Sequence, residues 1–406
     1  MIVDVDLHLH PTCHQNNDLL RTLALNALQK GLDIVGYGDT LIDDWIKEIK
    51  RCQKIDEGTF EFQGVRFILA GEVETSDGVH HLLIFPSYST LEEFKSSTPC
   101  LPYNSENSGK IKVDLSPSEL VDKAVDLDIM VGPTHIFNPW RGLYGCYHSI
   151  EECYGDASSK ISFIELGLNA NTDYADRIQE LHRLTFLTNS DAHNPHPVRL
   201  GREFTRFKVE EATFEGLRKA LLRRGVNRSI LNVGLPPEEG KYNQSACCYC
   251  HKQYSPREAE MLKWRCRCGK PIKKGVTYLV EERATFITPQ HPIHRPPYLP
   301  FLPLAEIITK VFNKRSPFSD SVQRMWRKLV SKFGDEIQIL LDTPIEELVK
   351  TASPAIVEAI EAFREADVIF KPGGGGEYGE IIIPVGEETL RFSLKPEEKR
   401  IYFNTK

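Results

Sequence analysis

The chain opens with apolar and polar side chains in unbroken alternation: Val3, Val5, Leu7 and Leu9 against Asp4, Asp6, His8 and His10. Period two predicts a strand, here one that aims two carboxylates and two imidazoles in a single direction. From there to residue 230 the pattern switches repeatedly between strand and helix. Residues 18–31 space their apolar positions i, i+3, i+4 and end at Gly31, which predicts a helix with a glycine stop. "LDIVGYGD", "VRFILAGEVET" and "HHLLIFPS" predict strands, and Ser116 followed by Pro117 marks a helix start. "IMVGPTH", "ISFIELGLN" and "LTFLTNSDAH" predict three more strands, and "TFEGLRKALLRRG" a closing helix. Strands alternating with helices over this length predict an α/β barrel-like domain, whose chemistry collects where strands end.

Beyond residue 235 the texture changes. Residues 236–290 hold a Pro–Pro break, five cysteines and many basic side chains. "ITPQHPIHRPPYLPFLPL" (287–304) is Pro-rich and predicts a semi-rigid connector. "LAEIITKVF", "DSVQRMWRKLVSKFG", "PIEELVKTA" and "PAIVEAIEAFREA" predict short amphipathic helices, and "PGGGGEYGEI" a loop. The pattern divides the chain into 1–235, 236–290 and a mainly helical 291–406.

Composition is that of an ordinary globular protein, with 41% hydrophobic and 26% charged residues and a mean hydropathy of −0.33. No run of about 18 apolar residues predicts a membrane span, and no basic-then-apolar leader predicts secretion. The expected location is the cytoplasm, where cysteines stay reduced. The net charge of −7 hides an asymmetry. Residues 1–230 carry 24 Lys and Arg against 34 Asp and Glu, a balance of −10. Residues 252–332 carry 17 against 6, a balance of +11, which predicts a nucleic-acid track in the second half.

The candidate chemistry sits at the predicted strand ends. His8 and His10 close the first strand, Asp39 the second and Glu72 the next, while His80 and His81 begin one. His135 ends "GPTH", Glu165 ends "FIE", and Asp191 and His193 follow "LTFLT". Carboxylates gathered this closely repel unless cations neutralise them, and imidazole with carboxylate suits zinc, manganese or iron. Adjacent on a strand, His80 and His81 cannot both face inward. Clustered metals favour in-line displacement at phosphorus, so phosphate-ester hydrolysis is the expected reaction. Cys247 and Cys250 give CxxC and Cys266 and Cys268 give CxC, a structural zinc signature in which Cys248 could replace Cys247. Asn169 and Asn171 follow a strand end and are candidate substrate-binding residues, or caps of the next helix. There is no GxSxG serine elbow and no GxxxxGK[ST] phosphate loop.

"DLHLH", GxE with a downstream histidine, "GPTH" and "NSDAH" resemble the PHP (polymerase and histidinol phosphatase) domain over residues 1–230. That resemblance implies a distorted seven-stranded (βα) barrel with a metal cluster of two to three divalent ions, Zn2+, Mn2+ or Mg2+. It assigns His8, His10, Glu72 and Asp191 to one metal, Glu72, His81 and His135 to another, and His193 to a third. Catalysis then rests on Asp191, Glu72 and His193, with Glu165 behind the ligands. The usual Thr-Asp-His is "GDT" here, so Asp39 substitutes, and His14 could fill the gap. With the CxxC…CxC zinc module, "GKPIKKGV", "HRPPYLPFLPLAEII" and "KPGGGGEYGEI", almost the entire chain resembles the endonuclease Q family of DNA-repair enzymes. This resemblance implies damaged DNA as partner. The implied reaction is a nick 5′ of uracil, hypoxanthine, xanthine or an abasic site, leaving a 3′-hydroxyl and a 5′-phosphate. A sliding clamp is a further expected partner, although "RIYFNTK" at the end is no clear clamp-binding box. The competing readings are a small-molecule phosphoesterase and a DNA-binding scaffold without catalysis.

Overall fold

A computed structural model describes residues 1–10, 19–98, 111–385 and 388–393. His14 and the terminal "RIYFNTK" lie outside the described residues. The strands of the first half are β1 (Ile2–Asp6), β2 (Ile34–Tyr37), β3 (Gln53–Lys54), β4 (Thr59–Phe62), β5 (Val65–Glu74), β6 (His80–Ile84), β7 (Ile111–Lys112), β8 (Met130–Pro133), β9 (Phe163–Glu165), β10 (Thr185–Leu187), β11 (Phe204–Lys208) and β12 (Arg228–Gly234). β1, β2 and β5 pair in parallel. β6 runs against both β5 and β8, and β11 runs against β1. β9 and β10 form their own parallel pair. They join the ring through Ile136 N–H to Glu165 O on one side and through side-chain hydrogen bonds of Thr188, Thr205 and Asn232 on the other, rather than through ladders. The result is a PHP-like barrel of mixed strand direction.

Val3, Val5 and Leu7 meet Ile34, Ile68, Ala70, Leu82, Ile84, Phe163, Leu187 and Phe207 in one cluster, the inside of the barrel. The helix Phe214–Leu221 adds Phe214, Leu217 and Leu221 to it. The outer layer packs helices on the strands' other face. Helix Leu19–Lys30 buries Leu19, Leu20, Leu23, Ala24 and Ala27, and helix Pro117–Asp126 starts on a capping box between Ser116 and Glu119. Leu9 belongs to this outer layer and not to the cluster of Val3, Val5 and Leu7. The strict alternation read from the sequence therefore breaks after β1 ends at Asp6. Asp4 and Asp6 do not join the site: Asp4 pairs with Arg206 at 2.8 Å, and Asp6 accepts the backbone N–H groups of Ser190 and Gly201.

The second half continues with β13 (Ala246–Cys247) and β14 (Ile272–Lys273), an antiparallel pair, and β15 (Tyr298–Pro300). Four helices, Leu304–Val311, Asp320–Phe333, Ile345–Leu348 and Pro354–Arg364, follow as expected. The Pro-rich stretch is not a connector. β15 adds to the barrel sheet beside β12, and buried Arg295 clasps the buried Asp176 carboxylate at 2.9 Å through both Nε and Nη2. Prolines suit this role because a packed strap needs few free N–H groups. Buried Lys30 and Glu336, 2.7 Å apart, tie the helical region to the barrel a second time.

Candidate active site

Seven barrel strands deliver polar side chains to one mouth: His8 and His10 past β1, Asp39 past β2, Glu72 and Glu74 on β5, His80 on β6, His135 past β8, Glu165 on β9, and Asp191 and His193 past β10. Gly36 and Gly38 make part of this possible. A Cβ at either would stand within 2.2 Å of the carbonyl oxygen of Leu7 or Leu9, so only glycine lets the turn before Asp39 slide under the histidine segment.

His8 Nε2 lies 3.0 Å from His10 Nε2, 3.6 Å from Glu72 Oε1 and 4.0 Å from Asp191 Oδ1. His10 Nε2 lies 3.5 Å from Glu72 Oε2 and 3.7 Å from Asp191 Oδ1, an oxygen that His193 Nε2 approaches to 3.4 Å. On the far flank, Glu72 Oε1 meets His80 Nδ1 at 2.8 Å and His135 Nε2 at 3.0 Å. Three overlapping groups result: His8, His10 and Glu72; His10, Asp191 and His193; Glu72, His80 and His135, each with its ligand atoms within 4.8 Å of one another.

The inward nitrogens are aimed from behind. His8 Nδ1 meets Glu165 Oε2 at 2.8 Å, and Glu165 is fixed by Asn189 Nδ2 at 2.9 Å. Asn189 in turn accepts the N–H of Leu7. His10 Nδ1 meets Asp39 Oδ1 at 2.9 Å. His80 Nε2 meets Glu74 Oε2 at 3.2 Å, and Glu74 is held by Lys112 and Arg141. Carboxylates on the outer imidazole nitrogen orient metal-binding histidines and raise their basicity. Asp39, His135 and Asp191 also adopt positive φ, at 57°, 30° and 44°, a conformation that persists only where surrounding structure enforces it.

The electrostatics call for cations. Burial opposes charge on His8, yet Glu165, Glu72 and Asp191 outweigh it and raise its pKa to about 10. Burial would likewise raise Glu72, but His80, His135 and His8 hold it well below the carboxylate range. Asp191 is lowered against its own burial by His193, His8 and His10. His135 Nδ1 is buried without a partner. Nitrogen and oxygen donors converging in a negative field fit divalent cations. Glu165→Gln should weaken metal binding by about 10–100-fold while leaving the fold intact. Competition with a chromogenic chelator measures this, and an unchanged affinity would deny Glu165 its orienting role.

Several expectations change here. His80, not His81, stands beside Glu72, because the β5–β6 register places Glu74 opposite His80 and Val73 opposite His81. His81 points the other way, with Nε2 on Tyr154 Oη at 2.8 Å, and its burial pulls its pKa down to about 4. Asp39 stands behind His10 and belongs to none of the three groups. Asn171 caps the next helix by accepting from Tyr174 N–H. Asn169 faces Gly240, where an added Cβ would lie 2.8 Å from its Oδ1. Sequence reading named His80 but assigned its place to His81, and it missed Glu74 and Asn189. Glu74 carried a signal, since it shares the face of Glu72 two residues away.

The four predicted thiols come together. Cys247 and Cys268 sulfurs are 3.6 Å apart and Cys250 and Cys266 sulfurs 3.5 Å, near the ~3.8 Å edge of a tetrahedron with Zn–S bonds of about 2.3 Å. Cys248 is exposed and outside the group, which settles the choice between it and Cys247. Tyr254 Oη lies 3.0 Å from Cys266 Sγ, and this hydroxyl with the Cys268 N–H lowers the thiol's pKa to about 6. The module's own apolar core is five residues, Cys247, Tyr254, Ala259, Cys266 and Ile272. Zinc must therefore supply folding energy. Cys266→Ser should release the zinc and lower the melting temperature while the barrel keeps its metals. Elemental analysis with calorimetry checks this, and full zinc content in the variant would contradict it.

The "GGGG" stretch serves this module. A Cβ at Gly375, φ +63°, would sit 2.5 Å from the Cys247 carbonyl oxygen. The glycines are a close seat for the zinc knuckle.

Comparison with solved structures decides the family. The chain superimposes on the lesion-specific endonuclease PfuEndoQ from Pyrococcus furiosus with a TM-score of 0.89 and 44% identity, covering 95% of this chain and 96% of that one. The chain belongs to the endonuclease Q family. A second endonuclease Q structure, in complex with a 27-mer duplex bearing an abasic lesion at the active site, matches with a TM-score of 0.85 and 44% identity over 95% and 97% of the two chains. The uncharacterized protein MJ0043 of Methanocaldococcus jannaschii is 44% identical over 251 residues, 60% of this chain but 31% of that protein, so the match spans under a third of its length. Residues 303–367 match the family model described as MJ0043 C-terminal domain. Among the described residues no helix is long and apolar enough to cross a membrane.

Proposed function

We propose that this member of the endonuclease Q family is a metal-dependent DNA-repair endonuclease. It cuts the phosphodiester on the 5′ side of deaminated bases and abasic sites, leaving a 3′-hydroxyl and a 5′-phosphate. The carrying observation is the three-group His–carboxylate cluster at the barrel mouth, in a chain that matches an abasic-DNA complex over 95% of its length. His8, His10, Glu72, His80, His135, Asp191 and His193 would hold the divalent ions. Cations bound there supply Lewis acidity, which polarises a phosphate oxygen and acidifies water. The chain's residues do the rest: Glu165, Asp39 and Glu74 fix the imidazoles, and half-exposed His193 faces the solvent side of the cluster, beside Asp191.

Residues 236–406 supply the grip. Lys252, Arg257, Lys263, Arg265, Arg267, Lys270 and Lys274 are exposed around the zinc site, and Arg324, Arg327 and Lys328 continue the charge on the helices. Phosphate neutralisation there makes binding salt-dependent. A damaged base pairs poorly and costs little to swing out of the stack, which is a physical basis for lesion choice. The division 1–235, 236–290 and 291–406 into catalytic, zinc and helical DNA-binding parts goes with this reading. The test sets nicking of a single-lesion duplex against hydrolysis of a phenyl phosphate ester. Efficient nicking with feeble ester turnover is expected, and the reverse order would replace the proposal by a small-molecule phosphoesterase.

A further inference from the structure

A cavity of about 500 Å³ opens on the zinc hairpin, lined by Cys248, Tyr249, Lys270, Pro271, Ile272 and Lys273. Its walls are a ring, a proline and an isoleucine, and its rim carries two lysines. Tyr249 lies at the tip of the CxxC knuckle with 71% of its surface exposed, and its backbone N–H donates to Cys247 Sγ at 3.4 Å. The knuckle thus fixes the backbone that carries an exposed aromatic ring, with Lys270 Nζ 5.6 Å from the ring centre.

The cavity also connects to the cluster. Lys273 Nζ lies 4.2 Å from the ring centre of Trp140 and 4.5 Å from that of Tyr242. Trp140 is half exposed and sits on the loop after His135. The next residue, Arg141, accepts the His80 N–H on its carbonyl and pairs with Glu74. Rings and lysines thus extend from the zinc knuckle to the loop that follows His135. Rings stack on bases of any sequence, and lysines between them neutralise phosphates.

We infer that the zinc-hairpin cavity is a nucleobase site: it takes an unpaired base of the DNA near the lesion, stacked on Tyr249, with Lys270 and Lys273 at the flanking phosphates. This rests on the endonuclease reading above and adds a second contact remote from the metals. Zinc then does more than fold the module, because its knuckle places the backbone from which the ring meets the base.

The test uses the full-length, metal-loaded protein and a duplex with one abasic site, carrying 2-aminopurine at successive positions beside it. Tyr249→Ala should lower affinity about tenfold, within the range of one lost stacking contact, and abolish an emission change that wild type produces at one probe position. Tyr249→Trp should restore both. Lys270→Ala should instead reduce the slope of log affinity against log salt by about one. Zinc content measured on each variant separates loss of the ring from loss of the fold. If Tyr249→Ala with full zinc binds and signals like wild type, the inference is wrong while the endonuclease reading stands. If the wild-type protein neither binds nor nicks this duplex, both fall together.

Discussion

Asp191→Asn should reduce nicking of a lesion-bearing duplex about a thousandfold or more, with affinity for that duplex within a few fold of wild type. The substitution preserves shape and also conformation, since asparagine tolerates the left-handed backbone that Asp191 adopts at φ 44°. It removes one negative charge from the oxygen pair that faces His8, His10 and His193. A cation at this spot contributes several kcal/mol to the transition state, and each 1.36 kcal/mol is a factor of ten. The proposed grip lies in the exposed cations of residues 252–332, away from Asp191, so duplex affinity should survive. Gel-based nicking rates beside fluorescence anisotropy measure the two quantities. Parallel loss of both would mean that Asp191 supports structure rather than chemistry.

Arg295→Met should destabilise the protein by about 3–5 kcal/mol, the cost of stranding one partner of a buried ion pair. Asp176 is fully buried, and the guanidinium holds it at 2.9 Å while also donating to the Leu184 carbonyl. His291 Nδ1, 2.8 Å from Asp176 Oδ2, is the remaining partner and is itself half exposed. Adding Asp176→Leu to Arg295→Met should recover part of the loss, because no charge then remains buried. Denaturant unfolding of the single and double variants gives both numbers. An Arg295→Met protein as stable as wild type would return the Pro-rich segment to the role of a semi-rigid connector.

That segment shows where sequence reading stopped. Proline content signals stiffness, but nothing local tells that Arg295 reaches an aspartate 119 positions earlier. The strands β11 and β12 were missed for a related reason. "EFTRFK" carries Arg206 on the side facing Asp4 and Asp342, so its alternation is masked by ion pairs, and "RSILNVG" sets Ile230 beside Leu231, which breaks period two. The helix started by Ser116 was legible because cap, proline and apolar spacing agree within one turn. The metal-site motifs were legible because each sits at a strand end. Choosing His80 over His81 needed the register of a hairpin, which a two-residue pattern cannot set. The zinc cysteines needed only spacing, and spacing sufficed.

If the barrel cluster cuts DNA at lesions with the help of divalent ions, removing those ions removes the cut. The most direct measurement strips the barrel metals with a mild chelator, restores Mn2+ in steps, and maps the cut on a duplex carrying one abasic site. Nicking should vanish on stripping, return as manganese is bound, and fall at a single bond 5′ of the lesion with a 3′-hydroxyl end. Nicking that persists in the stripped protein, or cuts scattered equally over an undamaged duplex, would contradict the account.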